Sequence, residues 1–358
     1  MRRIWLIICW LLAGAPGLLA QQGGVDAALE SGTAGAVAVQ RSRVFYGGDE
    51  ALMNGYAADE AGVEALTDKL VMAATGQRSV EAAWRTLVAP GDHVGIKISA
   101  NGGRDFSTHR PIVEAVLHGL AQAGVPTAQV VVWDRTPPQE AGYDNEPGGP
   151  AVRSVEPVTG YDPKSVIAIT ELGKLIWGDV DFRPHGPNPL APVARNQYSV
   201  YSHWSRLICG LTKIINIPVM SASEDCGVAG CIYNVTVPNV DNWRRFIEEP
   251  QCGDPYLCQL WADPHAGPKV ALNIMDGLIA QYGGGPDWQP RYSWSYGMIY
   301  AGKDPVAIDA TALRLMEKWR KEAKLPPVTP RAKYLRTAEG LGLGIYDENG
   351  IELVREPR

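Results

Sequence analysis

Two continuous apolar runs with one amphipathic helix between them constrain this chain most. His93-Val-Gly-Ile-Lys-Ile-Ser99 has the pattern of a strand, and Thr108 can cap a helix running to about Ala123. Ile112, Val113, Val116, Leu117 and Leu120 fall on one face of that helix. Gly124 stops it where a left-handed backbone is needed, and Val130-Val-Val-Trp133 follows as a second apolar strand. Strand, helix, strand with short connections is a βαβ unit, and unbroken apolar strands belong to a parallel sheet covered on both faces. The fold class that follows is α/β: three layers, a mostly parallel sheet, helices on both sides.

The rest of the chain fits that plan. Ala36–Gln40 alternates like a strand, and Asp59–Thr75 carries helical spacing in Val63, Leu66, Leu70 and Met72. Ser165–Ile169, Leu211–Met220, Val270–Met275, Met298–Ala301 and Ile351–Val354 are further strand candidates. Asp304 caps a helix with Pro305 in its first turn, reaching about Ala323, and a last helix near Pro330–Glu339 ends at Gly340. Residues 135–200, rich in Pro and Gly, read as an insertion. The expected organisation is a signal peptide over residues 1–20, a flexible lead-in over 21–35, and a single α/β domain over 36–356.

The signal-peptide reading rests on Arg2 and Arg3 ahead of Ile4–Leu12, an apolar run too short to span a bilayer. Export to the periplasm or the extracellular space is the expectation, with no membrane span left after cleavage. Removal of Arg2 and Arg3 takes the formal net charge from −6 to −8. That balance, without a Lys/Arg cluster, argues against nucleic acid as a partner. Oligomeric state is not legible. Cys226 with Cys231, and Cys252 with Cys258, have the spacing of two short-loop disulfides expected in an oxidising compartment, with Cys209 left over. A crossed pairing between the two segments is equally compatible; the alternatives are free thiols and then a zinc or iron–sulfur site, which usually shows tighter two-residue spacings.

In open parallel sheets ligands sit outside the carboxyl ends of the strands. That rule gathers Lys97, Ser99 and Asn101 after the first strand, and Asp134 and Arg135 after the second. Ser221, Ser223, Glu224 and Asp225 follow Leu211–Met220, and Asp276 follows Val270–Met275. Lys97 is the sharpest candidate, because a lysine inside an apolar strand needs a carboxylate or a ligand anion. It is either a substrate-anchoring cation or half of a buried ion pair. Catalytic candidates are Lys97, Asp134 and Asp276; the ligand-binding set is Lys97, Asn101, Asp134, Ser221, Ser223, Asn234 and Asp276. Asp134, Asp276, Asp304 and Asp309 form a carboxylate set able to hold a divalent cation, against which Asp304 already caps a helix. The six histidines show no metal-ligand spacing, though His109 begins a helix beside Asn101. Gly283-Gly-Gly-Pro286 with Tyr282, Trp288, Tyr292, Trp294 and Tyr296 is either a surface that stacks on a flat ligand or a hydrophobic lid.

Several segments in a fixed order resemble the domain of unknown function 362 family. They are Gly91–Asn101, Ala123-Gly124 before Val130–Asp134, Ile215–Met220, Ile274–Gly277, Gly285-Pro286, Lys303–Asp309 and Gly340–Ile345. The resemblance implies a single α/β domain of unassigned biochemical role. Some relatives carry a ferredoxin-type iron–sulfur module; this chain lacks the cysteine run for it, so no such cluster is expected. Where the family typically has lysine and histidine, this chain has Ser221 and Ser223, and Tyr233-Asn234 replaces a Lys-Asn pair. Lys97, Asn101, Asp134, Asn234 and Asp276 match. The expected function is recognition of a small polar or anionic ligand at the strand ends. The alternatives are a non-catalytic binding protein with a degenerate active site, or a metal-assisted enzyme acting on a small organic acid.

Overall fold

The computed structural model describes residues 41–167 and 202–357. The signal segment, the lead-in, the Ala36–Gln40 strand, Cys9, His185 and much of the 135–200 insertion lie outside the described residues.

Ten strands make the main sheet: β1 Ser42–Gly48, β2 Val94–Ile98, β3 Val130–Asp134, β4 Ala151–Ser154, β5 Lys213–Ile217, β6 Val219–Ser223, β7 Val270–Gln281, β8 Ser293–Gly302, β9 Ile351–Arg355, and a two-residue strand, Gly227–Val228, paired with β6. Their order is β9-β1-β8-β7-β5-β2-β3-β4, with β6 beside the far half of β7. Only β8 and the two-residue Gly227–Val228 strand run against their neighbours. A two-stranded ribbon pairs Tyr161–Val166 with His203–Ser205.

Alternation along the strands feeds two cores. Val94, Ile96, Ile98, Val132, Ile215, Ile217 and Ile274 point to one face. There they meet Leu66 and Leu70 of α1 (Glu60–Thr75), Trp84 of α2 (Val80–Arg85), and Ile112 and Val116 of α3 (Arg110–Gln122). Trp133, Ile214 and Met275 point to the other. There they meet α4 (Cys231–Thr236), α5 (Tyr256–Ala262), α6 (Pro305–Glu322) and α7 (Tyr334–Gly340) through Ile232, Leu260, Val306 and Leu335. Each fully buried aliphatic side chain contributes about 1.5–3 kcal/mol, and the sheet is held from both sides. The three-layer, mostly parallel α/β expectation is met.

Local corrections have physical reasons. The residue before α3 is His109, not Thr108. The Thr108 hydroxyl instead donates to Ile217 O at 2.7 Å and accepts from Ser99 N at 2.9 Å, tying the ends of β2 and β5 together. The single run Leu211–Met220 is two strands, because Pro218 interrupts the ladder between β5 and β6. The two short-loop disulfides are not formed: Cys209, Cys226, Cys231, Cys252 and Cys258 are all free thiols. Cys226 enters a tight hairpin, where its Sγ meets Ser223 Oγ, whereas Cys231 starts α4 and is turned toward Asp309. Cys252 lies beside the Arg331 guanidinium, and the Cys258 thiol donates to Tyr334 O at 3.1 Å.

Candidate functional site

A change of strand partner opens the cleft. β2 pairs with β5 as far as Ile98 opposite Ile217. After Pro218 the chain leaves that row and continues as β6 along β7, with Val219 opposite Asp276 and Ser221 opposite Gln281. Space is left between β6 and the ends of β2 and β3, a crevice at the carboxyl ends of parallel strands. The cleft measures about 280 Å³. Ser99 and Asn101 line it after β2, Asp134, Arg135 and Thr136 after β3, Val219 and Ser221 from β6, and Tyr233 and Asn234 from α4. Phe106, Trp243, Pro286 and Asp287 complete its walls.

Lys97 lies beneath this cleft, fully buried. Its ammonium donates to Asp134 Oδ1 at 2.5 Å, Ile98 O at 2.6 Å and Asn234 Oδ1 at 3.0 Å, which spends all three N–H bonds. Burial lowers its pKa and Asp134 opposes that shift; three acceptors around one nitrogen are the geometry of the charged form. Asp134 in turn accepts from Ala100 N and Arg135 N, both at 2.7 Å. A polar chain runs on from Lys97 across the sheet. Asn234 donates to Asn216 Oδ1 at 2.9 Å, and Asn216 donates to Asn273 Oδ1 at 2.8 Å. Lys97, Asn216 and Asn273 are register partners, so the chain is one row of side chains on one face.

The other sequence candidates take separate places. Asn101, Asp134, Ser221 and Asn234 line the cleft. Asn101 Nδ2 also donates to Pro286 O at 3.3 Å, linking two loops at the mouth. Ser223 faces away: its Oγ accepts from Asp225 N and Cys226 N. Asp276 is fully buried outside the cleft lining, accepting from His109 N at 2.7 Å and Leu278 N at 3.0 Å, with His109 Nδ1 at 2.8 Å. Burial works against a charged His109, yet Asp276 raises its pKa above the ordinary imidazole range.

The four carboxylates of the possible cation set are not brought together. Asp304 caps α6 through Ala307 N and also accepts from Ile345 N, both at 2.9 Å. Asp309, fully buried in α6, caps the neighbouring helix α4 through Cys231 N at 2.6 Å and Ile232 N at 3.1 Å. Burial pushes Asp309 up to about 7 despite those two donors. Among the described residues no group of three or more His, Cys, Asp or Glu side chains is placed to hold a metal. Tyr282, Trp294 and Tyr296 pack edge-on around Trp319 of α6 rather than forming one flat face.

Arg135, Thr136, Tyr233, Trp243 and Asp287 were absent from the sequence-level ligand set. Arg135 follows β3, bonds Glu156 Oε1 through Nη2 at 2.8 Å and lies 5.2 Å from the centre of the Trp243 ring. Its Nη1 and the Thr136 hydroxyl are buried without a hydrogen-bond partner. The adjacency of Arg135 to the strand-end Asp134 was the available signal. Tyr233, Trp243 and Asp287 come from three other segments, and no spacing connects them.

Residues 94–314 match the family model for the domain of unknown function DUF362. No curated protein and no solved structure matches the chain. The matched region begins at β2 and ends within α6, so it contains the strand ends, α4 and every residue lining the cleft. With well over half of the sequence covered, this chain belongs to the DUF362 family.

Proposed function

We propose that this protein is exported and binds a small polar or anionic ligand, one bearing a carboxylate or phosphate, in the cleft at the strand ends. The carrying observation is Arg135: a guanidinium in the cleft wall with one nitrogen lacking an acceptor, beside a Thr136 hydroxyl that also lacks a partner. Buried donors left unsatisfied cost about 1–3 kcal/mol each, so an acceptor that reaches them is favoured. The cation expected from sequence, Lys97, has no N–H left to offer, which leaves Arg135 as the anchor on this side. At about 280 Å³ the cleft suits a ligand at the small end of the usual range of about 300–1,000 Å³. Export is supported by Arg2 and Arg3 ahead of the Ile4–Leu12 run.

Thermal-shift and calorimetric titration with inorganic phosphate and a series of short mono- and dicarboxylates tests the binding. A ligand at a hundred times its Kd adds about 2.7 kcal/mol of stability. Arg135→Lys keeps a cation for Glu156 but loses the planar fork, and is expected to weaken binding at least tenfold. Absence of binding across the series, or equal binding by Arg135→Lys, overturns the reading.

A further inference from the structure

The walls of the cleft carry charge of both signs. Asp287 also lines the cleft, exposed, its carboxylate without a hydrogen bond or ion pair among the described residues, while its backbone carbonyl accepts from Gln281 Nε2 at 3.0 Å. Asp225 lies close by, half-buried, and its carboxylate has no hydrogen bond or ion pair among the described residues either. Burial raises its pKa, the Arg331 and Arg244 cations oppose that, and Glu224 and Asp287 add to it. Tyr233, also in the lining, is within electrostatic reach of the Arg135 cation and of both Asp225 and Asp287. The nearer charges cancel: Lys97 against Asp134, and one edge of Arg135 against Glu156. What remains for a ligand is an acceptor-seeking guanidinium nitrogen from the loop after β3 and the exposed Asp287 carboxylate from the loop after Pro286. Val219, Phe106, Pro238 and Pro286 form the apolar surface between.

A simple anion in this cleft satisfies Arg135 while facing the unpaired Asp287 carboxylate. A simple amine satisfies Asp287 and leaves the Arg135 nitrogen orphaned. A molecule with both groups a few bonds apart satisfies each end. Resting on the anion-binding reading above, we infer that the ligand class is zwitterionic: a small amino carboxylate, its carboxylate on Arg135 and Thr136, its ammonium on Asp287. Asp287, on the loop joined to Asn101, is the specificity residue that separates amino acids from plain acids.

Calorimetric titration of the full chain with matched probes tests this. The probes are glycine, β-alanine and 4-aminobutyrate, against acetate, propionate and butyrate, and against methylamine and propylamine. The expected result is that at least one amino carboxylate binds ten times tighter than both its matched acid and its matched amine, and that Asp287→Asn removes the margin. Acids that bind as tightly as their amino counterparts overturn the zwitterion assignment and leave the anion reading standing, as does an Asp287→Asn variant that keeps the margin. Amines that bind as tightly as the amino carboxylates, or no binding by any probe, overturn both.

Discussion

Lys97→Met takes the cation out of the polar row beneath the cleft and leaves the rest in place. Methionine fills a similar volume, so the main cost is electrostatic. Asp134, only 4% exposed, keeps its two backbone donors but loses its one charged partner, and Asn234 Oδ1 keeps only the Ser99 hydroxyl. Removing one member of a buried pair costs about 3–5 kcal/mol, because the survivor is an uncompensated buried charge. Lys97→Met with Asp134→Asn is expected to be no less stable than the single variant, since neutralising the survivor cancels most of the loss. Urea unfolding followed by tryptophan emission gives the numbers, as Trp84, Trp133 and Trp204 are fully buried reporters. A loss below about 1 kcal/mol at neutral pH, the size of an exposed surface pair, refutes the reasoning, and so does a double variant less stable than the single one.

Asp309 holds its proton up to about pH 7 in the fold, against an ordinary value of 3.8, so the fold gains from it at low pH and loses that gain as pH rises through about 4 to 7. Relative to Asp309→Asn, the native chain is therefore expected to lose up to about 4 kcal/mol across that window; urea midpoints that keep a constant difference from pH 4 to pH 8 contradict this. Gly119→Ala, a change that gains about 1 kcal/mol in an open helix, is expected to cost about 1–3 kcal/mol here. A Cβ at that position falls 1.8 Å from Trp84 Nε1, and a midpoint shifted upward in chemical denaturation disproves the clash.

The central strands were legible because they are apolar on both faces, and β2, β3 and β5 stand where the runs place them. α4 was not. Six residues are too few for a helical period, and its cap comes from Asp309, 78 residues further on. Asp309 reads in sequence as a complement to its own helix's dipole, and only packing reveals the second helix it serves. β4 and β9 at the sheet edges were short or only partly apolar, and of these only β9 was anticipated. Lys97 announced itself as a charge in an apolar strand, and the strand-end rule named Asp134 as a neighbour. Which of the two readings holds for it depends on how many acceptors surround the nitrogen, and a sequence does not count those. The rest of the cleft comes from β6, α4 and loops, which meet where Pro218 redirects the chain.

β7 is long enough to seat two strands in succession on one side, β5 beside its start and β6 beside its end. The division of labour that results is one of inheritance. Residues 270–273 of β7 and its β5 partner belong to the frame, whereas residues 219–223 of β6 pair with the frame along β7 and carry the two-residue strand Gly227–Val228 on their other edge. A lineage can lengthen, tilt or re-letter that second strand, and so resize the chamber beside it, while every ladder bond of the central rows stays as it was. Diversity of occupants among descendants of this architecture then requires no diversity of scaffold.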